Sequence, residues 1–245
     1  WSSDVCSSDL QLAMIKRVLK ALSIDDKKFP PRQVQWFINN AKEAGLRAAQ
    51  VVMEDVFSRR MQELYQAYEQ QCHREGVVDF AELLLRCYEL LSRNELLCQH
   101  YRERFHHILV DEFQDTNPLQ YRWLKLLAGM GAATTATVFA VGDDDQSIYR
   151  FQGANVENMW QFADQYKNDL LKVVLTNNYR STQPILDVSK SLIDRNQERL
   201  INKMEGLTKE LLASNKAINS LTHTPVIREY ESQQQEMIGI VKQVQ

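Results

Sequence analysis

Two adjacent carboxylates, Asp111 and Glu112, directly follow the apolar run Ile108-Leu109-Val110. A short apolar run of this kind reads as a strand of a parallel sheet, covered by helices on both faces. In open α/β sheets the chemistry sits at the carboxyl ends of the strands, where this pair falls. An aspartate there can hold Mg²⁺ directly or through water. A glutamate one residue on points differently and can orient or deprotonate a water attacking a phosphate. The alternative is an acidic strand-to-helix turn in which Asp115 or Asn117 caps a helix opening at Pro118.

A second acidic edge follows about thirty residues later. Thr137-Val138-Phe139-Ala140-Val141 is a β-rich run that ends in Gly142-Asp143-Asp144-Asp145-Gln146. Between the runs, Leu119, Trp123, Leu126 and Leu127 mark one face of a helix. Strand, helix, strand is a βαβ unit, which places the two acidic ends side by side. Gln146 offers a donor and an acceptor, suited to sensing a terminal phosphate. Tyr149 and Phe151 flank Arg150, so two rings could stack on bases while the guanidinium contacts a phosphate. Ordinary core packing is the competing role for both rings. In a third element, Val173-Val174-Leu175 leads to Tyr179-Arg180-Ser181-Thr182 and a helix with Pro184 in its first turn. Val173-Val174-Leu175 reads as a strand, and a tyrosine beside an arginine at its mouth can stack on an adenine and reach a γ-phosphate.

Three segments carry a resemblance to a known family: Asp111 to Asn117 (DEFQDTN), Val141 to Ala154 (VGDDDQSIYRFQGA) and Asn178 to Thr182 (NYRST). In order and spacing they are similar to motifs II, III and IV of superfamily 1 DNA helicases of the UvrD/Rep/PcrA type. Val78 to Leu84 (VDFAELL) resembles the same family. The resemblance implies that Asp111 holds Mg²⁺ and Glu112 is the catalytic base. It also implies that Gln146 couples the γ-phosphate of ATP to the DNA site, and that Tyr149 and Phe151 contact single-stranded DNA. Tyr179 would stack on the adenine and Arg180 would be the arginine finger. Gln152 stands where many relatives have arginine, which bears on one charged contact near the DNA channel.

A phosphate cradle needs a glycine-rich turn with lysine and Ser/Thr. None of the eight glycines is followed by lysine, so this sequence has no Walker A motif. Nor does it hold the family's later motifs. The expectation is an internal segment of a longer helicase.

The remaining residues are expected to position these motifs. At 245 residues, 44% hydrophobic and 25% charged, the chain can build one large domain or two modest ones. No apolar run reaches the ~18 residues that would span a bilayer, and no charged-then-apolar leader is present. A cytoplasmic setting is expected. Cys6, Cys72, Cys87 and Cys98 lack zinc-site spacing, and His106 and His107 cannot share a metal on a strand. The net charge of −3 neither supports nor opposes DNA binding, since much of the acidic excess lies in the motifs.

The expected fold is α/β. It comprises part of a RecA-like, P-loop NTPase-type parallel sheet, an inserted all-helical subdomain and the start of a second RecA-like domain. Residues 1–10 match nothing in the family and are expected to be a leader or gene-end artefact. Residues 11–75 read as the helical accessory subdomain, with stripes Leu12/Ile15/Leu19/Leu22, Val34/Phe37/Ile38/Ala41 and Met53/Phe57/Met61/Leu64/Tyr68. Residues 76–170 read as the second half of the first RecA-like domain. They include a helix capped by an Asp79/Glu82 box whose apolar face is Phe80, Leu83, Leu84, Cys87 and Leu91. Residues 171–245 read as the beginning of a second such domain, with a strand at Val226–Tyr230 and a last helix capped by Ser232 and Gln235. The implied activity is ATP-driven 3′→5′ translocation on single-stranded DNA and unwinding at duplex junctions. A non-catalytic nucleic-acid-binding remnant and part of a RecB/AddA-like helicase–nuclease are the alternatives.

Overall fold

The computed structural model describes residues 4–129, 136–150, 153–204, 206–218, 220–221 and 224–244. The chain divides into two compact units, 1–167 and 168–245.

The first unit opens with strand β1 (Asp4–Cys6) and helix α1 (Ser8–Ala21), whose first turn Ser7 caps by accepting from the Leu10 N–H. Structured residues therefore reach into the stretch set apart as a leader. Helix α2 (Pro31–Glu43) starts on the proline that its missing N–H suits, and ends before Gly45, which takes a left-handed φ of 79°. Helix α3 (Val56–Glu75) is opened by a reciprocal Asp55–Ser58 box and closed by left-handed Gly76. Their inner stripes interlock as one core: Met14, Ile15, Val18 and Leu19 against Val34, Ile38 and Ala41, with Met61, Leu64, Tyr65 and Tyr68. Leu22 and Met53 fall beyond the helix ends and are exposed.

Strand β2 (Val77–Asp79) pairs in parallel with β1 and leads into helix α4 (Phe80–Arg93). Asp79 caps α4, accepting from the Glu82 N–H at 2.7 Å. Glu82 does not complete the expected box, because its carboxylate turns inward to Lys42, Arg47 and Arg86. That inward pull fixes the rotation of α4. Glu82, Leu85 and Leu91 are buried, while Phe80 and Leu83 of the expected apolar face stand exposed at 68% and 44%.

Helix α5 (Glu95–Arg104) precedes β3 (His107–Val110), α6 (Pro118–Ala128) and β4 (Thr137–Ala140), which form the expected βαβ unit. The two strands are parallel, with Ile108 opposite Val138 and Val110 opposite Ala140. Ile108, Val110, Val138 and Ala140 are half-buried on one face, whereas Leu109 and Phe139 on the other are largely exposed. The expected burial on both faces is thus not met among the described residues, where β3 and β4 make a two-stranded sheet by themselves. Helix α7 (Glu157–Gln165) completes the unit.

In the second unit, β5 (Asn177–Asn178) pairs in parallel with β6 (Leu212–Ala213), and helix α8 (Gln183–Ile193) carries Pro184 in its first turn. Helix α9 (Gln233–Val244) follows Ser232, whose hydroxyl accepts from the Gln235 N–H at 3.3 Å. The expected strands at Val173–Leu175 and Val226–Tyr230 do not form. β-branched residues adopt a ladder only with a partner strand, and here Val173 and Ile227 lie open to solvent.

Candidate active site

The carboxylates of motif II sit where β3 meets β4. The Val141 N–H donates to the Val110 carbonyl at 2.8 Å, and the Phe113 N–H donates to the Val141 carbonyl at 2.9 Å. These bonds hold the two strand ends together past the last ladder pair. The acidic edges therefore lie side by side, as the βαβ reading requires.

Between them the chain turns sharply. Glu112 has φ 48° and ψ 47°, a left-handed backbone for a residue with a side chain. Such a conformation costs on the order of 1–3 kcal/mol and persists only where its surroundings enforce it. The enforcement is visible on both sides. Phe113 is buried, with its ring edge-on to Phe162 at 5.3 Å and to Tyr121 at 5.9 Å. The Thr116 carbonyl accepts from the Asn155 N–H and from the Asn158 side chain, which ties the turn to the start of α7. Asn117 then caps α6 in a reciprocal box with Gln120. The capping role and the carboxylate pair thus coexist in one stretch.

Asp111 and Glu112 are both exposed. One Asp111 carboxylate oxygen accepts from the Glu112 N–H at 2.9 Å. One Glu112 oxygen accepts from Gln114 Nε2 at 2.7 Å. Gln114, 1% exposed, turns its other end to the second edge, where Oε1 accepts from the Asp143 N–H at 3.0 Å. A single buried carboxamide thus joins the two acidic motifs. Sequence reasoning passed over it. The paired donor and acceptor that single out Gln146 belong equally to Gln114, but nothing in the sequence brings its carboxamide to Glu112.

The close approach explains Gly142. A Cβ on that residue would lie 2.8 Å from Gln114 Oε1 and 3.2 Å from the Phe113 nitrogen. The aspartate run resolves its repulsion by diverging. Asp143 accepts from the Asp145 N–H at 3.1 Å and from Gln146 Nε2 at 2.8 Å, while Asp144 is buried. Gln146 is exposed with its nitrogen engaged by Asp143. Tyr149 is 42% exposed, more open than a core ring. Phe151 and Gln152 lie outside the described residues.

In the second unit, Tyr179 is 65% exposed and Arg180 is exposed as well. Asn178 shapes their turn by accepting from the Arg180 and Ser181 N–H groups at 3.0 and 2.8 Å. The Tyr179 carbonyl accepts from Asn215 Nδ2 at 2.9 Å.

A separate buried charge network lies among α2, α3 and α4. Lys42 is 1% exposed and pairs with Asp79 at 2.6 Å and Glu82 at 3.0 Å. Tyr68 donates to the same Asp79 oxygen at 2.8 Å. Arg47 joins Glu82, Glu69 and Glu89. Burial alone would raise the Glu82 pKa, but Lys42, Arg47 and Arg86 overcome it and hold the group at about 2. Glu43, at the end of α2, has no such help, and burial pushes it up to about 7. It borders motif III, because a Cβ at Gly153 would collide with its carboxylate.

As for a metal, Asp111 offers an exposed, hard carboxylate donor at a strand end. Mg²⁺ is held in phosphate-transfer sites by one or two carboxylates together with substrate phosphates, so this donor fits that use. No cluster of three or more potential metal ligands occurs among the described residues. No helix among them is long and apolar enough to cross a membrane.

Comparison with known proteins adds an independent line. Residues 2–167 match the model of the UvrD/REP helicase N-terminal domain, so the match takes in residues 2–10, which the sequence alone sets apart from the family. The chain is 48% identical over 199 residues to DNA helicase II of Haemophilus influenzae, covering 80% of this chain and 26% of that protein. It is 47% identical over 201 residues to DNA helicase II of Escherichia coli, covering 82% and 27%. It is 34% identical over 202 residues to the ATP-dependent DNA helicase PcrA of Leuconostoc citreum, covering 82% and 26%. The chain thus spans only about a quarter of the length of these relatives.

Proposed function

Since this chain belongs to the UvrD/REP helicase N-terminal domain family, we propose that it contributes motifs II to IV to an ATP-dependent DNA helicase. The motor would move 3′→5′ on single-stranded DNA and open duplex junctions, in the cytoplasm. Residues 76–170 are the second half of a RecA-like ATP-binding domain, 11–75 an accessory helical subdomain, and 171–245 the beginning of a second RecA-like domain. The observation that carries this reading is the stitched pair of acidic strand ends, Asp111-Glu112 beside Gly142–Gln146.

Each side chain then has a task. Asp111 holds Mg²⁺, which neutralises charge on the phosphates of ATP when bound. Glu112 accepts the proton of the attacking water, and its exposure lets that water approach. Gln146 senses the terminal phosphate with its carboxamide. The aromatic residues Tyr149 and Phe151 stack on single-stranded DNA. Tyr179 stacks on the adenine, and Arg180 stabilises charge on the transferring phosphoryl group.

The test is ATP turnover and strand separation by the full-length protein on duplexes with a 3′ or a 5′ single-stranded tail. DNA-stimulated turnover with unwinding of the 3′-tailed duplex supports the proposal. DNA binding without turnover contradicts it and favours a non-catalytic nucleic-acid-binding protein. Metal-dependent cleavage of linear DNA would add a nuclease.

A further inference from the structure

Glu112 carries the proposed general base on an exposed side chain and a strained backbone, so something must fix where the carboxylate points. Among the described residues the hydrogen bond that does so comes from Gln114. This carboxamide is well suited to the task. It is 1% exposed, so water does not compete for it. Its acceptor end is committed to the Asp143 N–H at 3.0 Å, which settles which way the amide is turned and leaves Nε2 to face Glu112. Gly142 leaves room for it, because any side chain there would press on Oε1. The same residue that aims the carboxylate is therefore seated on the first peptide of the acidic turn in motif III.

Resting on the reading of Glu112 as the base, we propose that Gln114 is a positioning residue for ATP hydrolysis. Its Nε2–H holds the Glu112 carboxylate in its productive orientation, and its Oε1 ties that orientation to the start of the motif III turn. A shift of Asp143 then moves the amide and, through it, the base. Gln114 itself does not touch substrate.

Two substitutions separate this role from simple bracing of the strand ends. Gln114→Met removes both bonds. Gln114→Glu has nearly the same shape and keeps the acceptor for the Asp143 N–H, but replaces the donor that faces Glu112 with an oxygen. If Gln114 positions the base, both variants lower kcat of the full-length protein about 10- to 100-fold, the range found for hydrogen-bond partners that orient metal ligands. KM for ATP stays within about twofold. If Gln114 only braces the strands, Gln114→Glu turns over like the unsubstituted protein, and that result overturns the proposal. A loss confined to KM also overturns it.

Melting temperature supplies a readout independent of activity. Exchanging the two groups, as Glu112→Gln with Gln114→Glu, restores one donor opposite one acceptor. The exchanged pair should regain the melting temperature that Gln114→Glu loses, and failure to do so would show that the bond is not made. Glu112→Gln alone separates the two levels of the argument. Undiminished turnover in that variant removes the base and this inference with it. An inactive Glu112→Gln beside a normal Gln114→Glu removes only the inference.

Discussion

Replacing Lys42 with methionine should cost about 3 kcal/mol of stability. The ammonium lies 2.6 Å from Asp79 and 3.0 Å from Glu82, with side chains only 2%, 4% and 6% exposed. Methionine keeps most of the volume and removes the charge. Breaking a buried pair by deleting one partner costs about 3–5 kcal/mol, because the other charge is left uncompensated. The lower end applies here, since Asp79 keeps the Tyr68 hydroxyl and the Glu82 N–H, and Glu82 keeps Arg47 and Arg86. For a unit of this size each kcal/mol moves the melting point by about 2–4 °C, so a fall of about 6–12 °C is expected. Helical circular dichroism reads the whole chain, and hydrogen exchange of α2 and α4 amides localises the effect. Acid titration gives a second check. Glu82 is held at about 2 against its usual 4.5, so its contribution is complete above pH 4.5 and lost as pH falls towards 2. That window is worth about 3 kcal/mol at ~1.4 kcal/mol per pH unit. Lys42→Met should flatten this acid slope. A variant within about 0.5 kcal/mol of the unsubstituted protein, with an unchanged slope, would refute the reasoning.

Two further perturbations probe the turn and the α2 end. Gly142→Ala drives a methyl group to 2.8 Å from Gln114 Oε1, and should destabilise the first unit by about 1–3 kcal/mol, as overpacked sites do, in urea unfolding. Glu43 is pushed up to about 7 by burial, so its ionisation opposes folding progressively as pH rises from 4.5 through 7. Glu43→Gln should therefore raise the melting temperature at pH 8 and leave it little changed at pH 4.5.

The candidate edge was legible because its signals are local. Apolar runs ending in carboxylates, with Asn117 and Pro118 opening a helix, specify β3–α6–β4 without reference to distant residues. What remained hidden depends on partners far along the chain. The face that α4 buries is decided by Lys42 and Arg47 drawing Glu82 inward, and apolar periodicity alone selects Phe80 and Leu83 instead. Val173–Leu175 and Val226–Tyr230 have strand composition, but without a pairing strand among the described residues they remain irregular. Gln114 was hidden differently. Its bond to Glu112 is made across a left-handed turn at Glu112, which no residue type announces at a glutamate. The helical stripes of α1 to α3 fared best, since an amphipathic period reports burial directly.

The measurement closest to the central claim is single-turnover ATP hydrolysis by the full-length protein carrying Glu112→Gln, with ATP binding followed in parallel. Nucleotide affinity within about threefold of the unsubstituted protein, with hydrolysis reduced at least ~10²-fold, is the predicted result for loss of a general base. Hydrolysis at an undiminished rate would contradict it, and would remove the acidic edge of β3 from the chemistry.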